Sequence, residues 1–599
     1  MSLYQFSPHA VPMFGENVQW QVLHQPHHAI MAFFRRKTRV FASLFLVLVL
    51  YLLVGLIPEH RDTLFGFTFV RTSYNWAQQP LKYPISEYVP LPTGTPRALP
   101  KVQHAFTADT SPEGVAREEV LASRRAEVKE AFVKSWTSYK NAGFGYDELM
   151  PVSGKGRDAP GFGGWGATLV DSLSTLWIMG LKDEFYEAAA AAVTINWSNT
   201  RDTSCNFFET TIRHLGGLLG AYDLSLETAL LEKAIELGDM LYMAYDTPNH
   251  MPPFWLDFDD AKDGNQEAGY HDPSASVTSS SLEFTRLSQL TGNNKYYDAI
   301  NRVTMVLDEW QNRTALPGMW PTFFDFKQLQ LDNDNSFTLG ALADSLYEYL
   351  PKTFAILGGL EPVYEKLYRG AMDTVIKNLL FRPKTPEQDD ILFTGNVYVS
   401  DDTGPHLTAE GQHLACFVGG MFGLGSKLFN IPEHLEIGEK ITRGCVWAYD
   451  AMPTGIMPEI FNLLKCETLE PCEWDETEWE DQSNMQLKKG FINARDPRYL
   501  LRPEAIESVF LMYRMTGNPE YQEMAWRMFQ AIRKATETDI AFSAIQSVRD
   551  VVTVKTDSME SFWMAETLRY FYLIFSSPDL IDLDEFVLNT EAHPLRRPK

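Results

Sequence analysis

Acidic residues recur in this chain where apolar helical patterns begin: Asp171, Glu209, Glu283, Asp344, Glu410 with His413, Glu504 with Glu507, and Glu560 with Glu566. In "LLRPEAIESVF" (500–510), Pro503 suits a first helical turn, and Glu504 and Glu507 share a face one turn apart. An acid in a first turn has a local explanation, its attraction to the helix dipole. A carboxylate on a helix that is apolar nearly all round is costly, however, unless it is paired or bound to something. If the seven helix starts converge they line an acidic pocket, one that can exchange protons with a substrate or gather oxygen ligands around a hard cation.

Each site also has a purely structural reading. Glu209 and Arg213 are four residues apart, the spacing of a helix salt bridge, and Asp344 in "ADSLYEYL" is placed to cap a helix. Asp171, within the strongly apolar "ATLVDSLSTLWIMG", reads as a hydrogen-bonded core carboxylate, and His413 as a satisfied core histidine. Phe207, Phe208, Phe562 and Trp563 read as core aromatics. The sevenfold recurrence is what argues for a shared site.

The elements that must carry these residues follow from periodicity. From about Glu113 onward, apolar residues at helical spacing are broken by Gly, Pro and Asn turns and fall into seven successive pairs. The first members begin near 115, 183, 227, 295, 360, 432 and 518, and stretches such as "EYQEMAWRMFQAIRKA" (520–535) are amphipathic, as outward-facing helices are. The second members begin near 167, 206, 275, 336, 410, 500 and 557 and are more apolar, which places them in an inner ring. Strand is expected only in connections such as "ILFTGNVYVS" (391–400) and "VTVKT" (552–556).

Over 599 residues, 45% hydrophobic and 13% aromatic content is enough for a large core, and a net charge of −26 argues against a nucleic-acid partner. "VFASLFLVLVLYLLVGLI" (40–57) is uncharged and, as a helix, spans roughly 27 Å, close to a bilayer core. Arg35, Arg36, Lys37 and Arg39 precede it, so the positive-inside rule puts the N-terminus in the cytosol and the bulk in the lumen. The expected layout is a cytoplasmic tail (1–39), a transmembrane signal anchor (40–57), a stiff proline-rich stem (58–112) and a lumenal domain (113–599). The sequons at Asn196 and Asn312 are compatible with that topology. Five cysteines, an odd number, leave at least one unpaired.

Several stretches resemble the class I α-1,2-mannosidases, glycoside hydrolase family 47. They are "GWGATLVDSLSTLWIMGL" (164–181), "NFFETTIRHLGGLLGAY" (206–222), "LGALADSLYEYLPK" (339–352), "HLACF" (413–417), "LRPEAIES" (501–508), "SMESFWMAETLRYFYLIF" (558–575) and "LNTEAHP" (588–594), in family order. The resemblance implies an all-α (αα)7 barrel with minor β-hairpins, a Ca²⁺ ion, and inverting removal of terminal α-1,2-linked mannose from high-mannose N-glycans. Inversion needs one carboxyl to protonate the leaving oxygen and another to activate water, roughly 6.5–9.5 Å apart, a gap that residues on different inner helices can hold.

By motif, Glu209 matches the general acid and Glu504 the proposed base, with Asp344 its rival; Thr590 matches the residue that meets Ca²⁺. Glu283, Glu410, Glu507, Glu566 and Glu591 would hold the ion's waters or sugar hydroxyls, and Arg213, Arg502 and Phe562 would position substrate. Leu342 falls at a specificity switch, where leucine in place of arginine implies Golgi-type trimming from nine mannoses towards five. Cys416 and Cys445 match a bridge common in the family. Cys466 and Cys472 are placed for a second, which leaves Cys205 free. Many family members carry an acid before the histidine of "HLACF", where this chain has Gln412. The expected residence is the Golgi or endoplasmic reticulum membrane. The competing function is a lectin-like mannosidase homologue that delivers high-mannose glycoproteins to degradation.

Overall fold

The computed structural model describes residues 67–598 apart from 199, 201, 484 and 485. The span at 40–57, the basic cluster before it and the first part of the stem lie outside the described residues. Among the described residues no helix is long and apolar enough to cross a membrane.

The helices alternate as the periodicity requires. In chain order, α1 (Pro112–Ala142) is followed by α2 (Ala167–Asp171) and α3 (Leu173–Ile178). Next come α4 (Lys182–Ala192), then α5 (Phe207–Glu209), which runs through a π-helical turn (Thr210–Leu215) into α6 (Gly216–Ser225). After α7 (Thr228–Tyr242) come α8 (Ser274–Thr278) and α9 (Ser281–Thr291). Then α10 (Asn294–Trp310) precedes α11 (Asp344–Ile356), α12 (Val363–Asn378) precedes α13 (Phe417–Phe429), and α14 (Pro432–Asp450) precedes α15 (Glu504–Thr516). Finally α16 (Glu520–Thr536) leads to a second π-helical turn (Trp563–Thr567) and α17 (Leu568–Ile574).

The inner segments pack in sequence, α3 on α6, α6 on α9, α9 on α11, α11 on α13, α13 on α15 and α15 on α17, and the second π-helical turn returns to α2 and α3. Each outer helix packs on an inner one, so the ring closes as a helical barrel. The burial split explains the order: α13 and α15 bury nearly every residue, whereas α10 and α16 bury one stripe and leave their charged faces in water. The disulfides Cys416–Cys445 and Cys466–Cys472 are formed, and Cys205 is free and buried.

Strands are short and join helices at the rim. They include β1 (Ser204–Asn206) with β2 (Trp255–Asp257), β3 (Asp272–Pro273) with β4 (Phe323–Phe324), and the hairpin of β5 (Asn396–Ser400) and β6 (Gly404–Thr408). Strands β7 (Glu410–Gln412), β8 (Ile460–Leu463) and β9 (Phe491–Asp496) form an antiparallel sheet, and β10 (Phe586–Leu588) with β11 (Pro594–Arg596) forms the last hairpin. β10 packs on α11 and β11 on α6, so the tight turn between them, Asn589–His593, is carried into the barrel. Residues 552–556, expected as strand, form only a single bridge at Lys555, and Val552 points into water.

Among the described residues the proline-rich segment, from 67 to 111, holds no helix longer than the turn Trp76–Gln78, yet it does not stand away from the body. Residues 67–111 lie along the barrel with Trp76 and Val102 buried. Backbone amides bind side chains of the body: Lys82 and Tyr83 donate to Asp246, Val89 to Asp298 and Val102 to Asp584. Prolines that deny a chain its own helix leave its amides for such partners. Of the sequons, Asn196 is half-buried and donates to Ser73, while Asn312 is exposed after α10.

Candidate active site

Asn206, at the end of β1, accepts a hydrogen bond from the Glu209 amide (3.0 Å) and caps α5. That cap places Glu209 in the first turn, where it faces a cavity of about 320 Å³. One turn on, Arg213 is almost fully buried; its Nε donates to Glu209 (2.7 Å) and its Nη1 to both Glu591 (2.8 Å) and the Ser561 hydroxyl (3.2 Å). The helix salt bridge and the cavity wall are therefore the same pair. Both π-helical turns carry polar groups to the cavity, Arg213 on one and Glu566 on the other.

On another wall, Glu504 opens α15 and accepts from His413 (Nδ1, 3.1 Å), whose Nε2 is 2.8 Å from the Tyr449 hydroxyl. Every polar atom of this chain is satisfied when Nδ1–H donates to Glu504 and the tyrosine donates to Nε2. Arg502 is locked to Glu459. Phe562 lies between the two cavity arginines, with the guanidinium carbons of Arg213 and Arg502 at 5.8 and 5.9 Å from its ring centre. Asp344, in the first turn of α11, lines the cavity with Glu348, and burial, reinforced by the Glu348 and Glu504 charges, pushes it up to about 7.

The floor comes from the last hairpin. Thr590 lines the cavity; Asn589 donates to Glu283 (2.8 Å) and to the Ile212 carbonyl (3.0 Å), and His593 reaches Asp171 (2.9 Å). Burial acts to raise Asp171, but His593 and Arg213 hold it below the usual carboxylate range. Asp171 is fully buried behind the wall, and His413 is buried behind Glu504, so both act through other residues.

The floor concentrates carboxyls faster than cations. Burial raises Glu283 to about 7 and Glu507 to about 8, with Lys352 opposing the rise at Glu507. Glu566 and Glu591 are pushed well above the usual range, first by burial; the Glu591 charge adds at Glu566, while Arg213 opposes at Glu591. Lys352 is bound to Glu348 and lies 3.6 Å from Glu507. One Glu283 oxygen accepts from Tyr349 and Asn589, and the other is buried without a partner. Such a set, rich in oxygen donors and short of positive charge, fits a hard cation. Among the described residues no three acidic, histidine or cysteine side chains converge on one metal position.

Two expected lining residues are placed differently. Glu410 lies on β7 rather than at a helix start, and its carboxylate faces Asn396 (2.9 Å), Gln412 (3.3 Å) and Arg495 (3.0 Å) instead of the cavity. Strand pairing with residues 460–462 overrides the helical pattern there. Glu283 is not among the lining residues and accepts hydrogen bonds from Asn589 and Tyr349. Glu209, Arg213, Leu342, Asp344, Arg502, Glu504, Glu507, Phe562, Glu566, Thr590 and Glu591 all line the one cavity. Glu348, missed in the sequence, had a visible signal, since it is one turn from Asp344 on the same face.

Backbone strain gathers at the same place. Leu342, Leu501 and Ala592 have φ of 77°, 67° and 58°, and each lies within two residues of a lining side chain. Non-glycine residues rarely adopt this region, and the conformation costs about 1–3 kcal/mol apiece unless the surroundings hold it. A larger groove of about 450 Å³, between residues 71–77 and α7, holds Glu236 already satisfied by Thr72 and Lys233 and brings no comparable set of acids together.

Residues 131–597 match the profile of glycosyl hydrolase family 47. The chain is 35% identical over 491 residues to mannosyl-oligosaccharide 1,2-alpha-mannosidase MNS1 of Arabidopsis thaliana, covering 79% of this chain and 78% of that protein. It is 30% identical to mannosyl-oligosaccharide 1,2-alpha-mannosidase IB of Mus musculus, covering 83% and 74%. Against the human endoplasmic reticulum mannosyl-oligosaccharide 1,2-alpha-mannosidase, identity is 35%, covering 79% of this chain and 64% of that one. The solved alpha-1,2-mannosidase from Trichoderma reesei superposes with a TM-score of 0.72 at 32% identity, covering 80% of this chain and 99% of that one. A helical barrel whose inner helix starts and last hairpin line an acidic cavity, together with these matches, makes the chain a glycoside hydrolase that belongs to glycosyl hydrolase family 47.

Proposed function

We propose that this protein is a Ca²⁺-dependent, inverting exo-α-1,2-mannosidase that trims high-mannose N-glycans from nine mannoses towards five in the Golgi or endoplasmic reticulum, anchored through residues 40–57. The observation that carries this reading is the shared cavity: Glu209 lines one wall, and Glu504 and Asp344 line others, each on a different inner helix. Relatives named for activity on mannosyl-oligosaccharides support the substrate class.

Glu209 is the general acid. Its carboxyl is the group that passes a proton to the leaving glycosidic oxygen, and Arg213 fixes its direction. Glu504 is the base that draws a proton from water, aimed by His413 and Tyr449; Asp344 is the alternative base. Arg502 and Phe562 position the sugar. Ca²⁺, when bound, supplies a hard positive charge that orients water and sugar hydroxyls. Thr590 would hold it, with Glu507, Glu566 and Glu591 holding its waters.

Incubating the protein with a nine-mannose glycan, with and without a chelator, tests the reading. Mannose release that the chelator stops, together with a lower melting temperature in chelator, is expected, because a ligand bound only by the fold stabilises it. Binding without turnover in added Ca²⁺ would refute it.

A further inference from the structure

The cavity opens beneath a rim of aromatic side chains that neither the core nor the acid and base positions use. Trp255 on β2 is 44% exposed and Tyr270 is 72% exposed. Each presents an aromatic face to solvent, with an apolar body and a polar tip of the kind that binding surfaces use.

The rim is built into the site. Phe254 lines the cavity, and its ring centre is 5.3 Å from that of Trp255. Trp255 pairs with Asn206, the residue that caps the helix of Glu209. Gly161 backs the indole: a Cβ there would sit 3.3 Å from the ring edge. The Phe254 amide donates to Asp272 (2.9 Å) at the start of β3, next to His271. His271 stacks on Phe323 at 4.2 Å with only 12° between the planes, and Tyr270 lies 6.4 Å from His271. Four residues after His271, Ala275 lines the cavity and donates to the carbonyl of Leu342. Trp255 and the Tyr270–His271–Phe323 group thus flank one side of the mouth, between the acid-bearing helix and Leu342.

Pyranose rings carry patches of C–H that pack on aromatic faces, while their hydroxyls remain in water. We infer that Trp255, Tyr270, His271 and Phe323 form a platform that receives a second mannose branch of the glycan whose terminal sugar occupies the cavity. This rests on the mannosidase reading and adds to it. The platform acts on recognition of the branched substrate and not on bond cleavage, so it is felt only when a second branch is present.

The test compares α-1,2-mannobiose with a nine-mannose glycan, using Trp255→Ala and Tyr270→Ala with Trp255→Phe and Tyr270→Phe as conservative controls. For the branched glycan, KM is expected to rise about three- to tenfold in the alanine variants with kcat kept, and to recover in the phenylalanine variants. For the disaccharide neither constant moves. Circular dichroism and melting temperature confirm that each variant is folded. Folded alanine variants with an unchanged KM for the glycan, or with equal losses on both substrates, overturn the platform. Wild-type protein that leaves the disaccharide intact overturns the mannosidase reading instead.

Discussion

Glu209 and Glu504 have different neighbours, and the difference matches their proposed tasks. Glu209 is half-open to the cavity and held by Arg213, whereas Glu504 is backed by a histidine–tyrosine chain. Glu209→Gln and Glu504→Gln are each expected to lower kcat about 10²–10⁴-fold while glycan binding persists, measured by single-turnover kinetics and calorimetry. A variant that loses binding in proportion to rate would mark its residue as a binding group. Leu342, exposed at the lip in a left-handed conformation, has no donor to hold one branch. Leu342→Arg adds a planar fork of donors and should shift the early products of a nine-mannose glycan towards a single eight-mannose isomer, read by chromatography of a time course. A time course identical to wild type would remove residue 342 from branch selection. At this scale much of the site is legible in sequence, because acids at apolar helix starts need partners. Thr590 is not: a threonine near a turn carries no signal of its own and came only through resemblance. Glu459 was also hidden, since its partner Arg502 lies 43 residues away, and so was the pairing of His413 with Glu504, 91 residues apart.

Helix packing sets how closely the walls stand. Outer helix α14 and inner helix α13 meet at Gly438 and Gly419, where a Cβ on Gly438 would lie 2.6 Å from the Gly419 carbonyl oxygen. In an open helix, glycine to alanine would stabilise by about 0.5–1 kcal/mol. Here the obstacle is backbone, which cannot rotate away. Gly438→Ala should therefore destabilise by about 1–3 kcal/mol, seen as a lower melting temperature; an unchanged or higher value would show that the helices separate freely. The seven helix pairs were readable because amphipathic and fully apolar periods differ. Their starts were less so. The segments read from 336 and 410 become helical only at Asp344 and Leu414, after stretches that pair with distant strands. Strand pairing of this kind is a long-range property that no local period encodes.

Across the whole molecule, buried titratable groups answer acid in opposite directions: the raised carboxyls take up protons in the folded state, whereas buried histidines resist them. His214 is fully buried between Trp165 and Trp197, and burial lowers its pKa from 6.5 to about 4. At this residue the unfolded chain binds a proton below pH 6.5 that the folded one does not. The stability this group contributes is full above 6.5 and is lost as pH falls towards 4, about 3 kcal/mol in all. Relative to His214→Phe, the wild type should lose melting temperature as pH falls through that window; a difference between the two that stays constant with pH would move the effect to other groups. Residues 67–111, the described part of the stiff stem expected over 58–112, run along the barrel, because prolines exclude self-pairing without excluding binding to a neighbour.

The central claim is that two carboxyls on separate inner helices displace mannose in a single inverting step, and early-time proton NMR of the sugar released from a high-mannose glycan tests it most directly. The account predicts β-mannose first, with the α anomer growing in only through mutarotation. α-Mannose as the first product would contradict it.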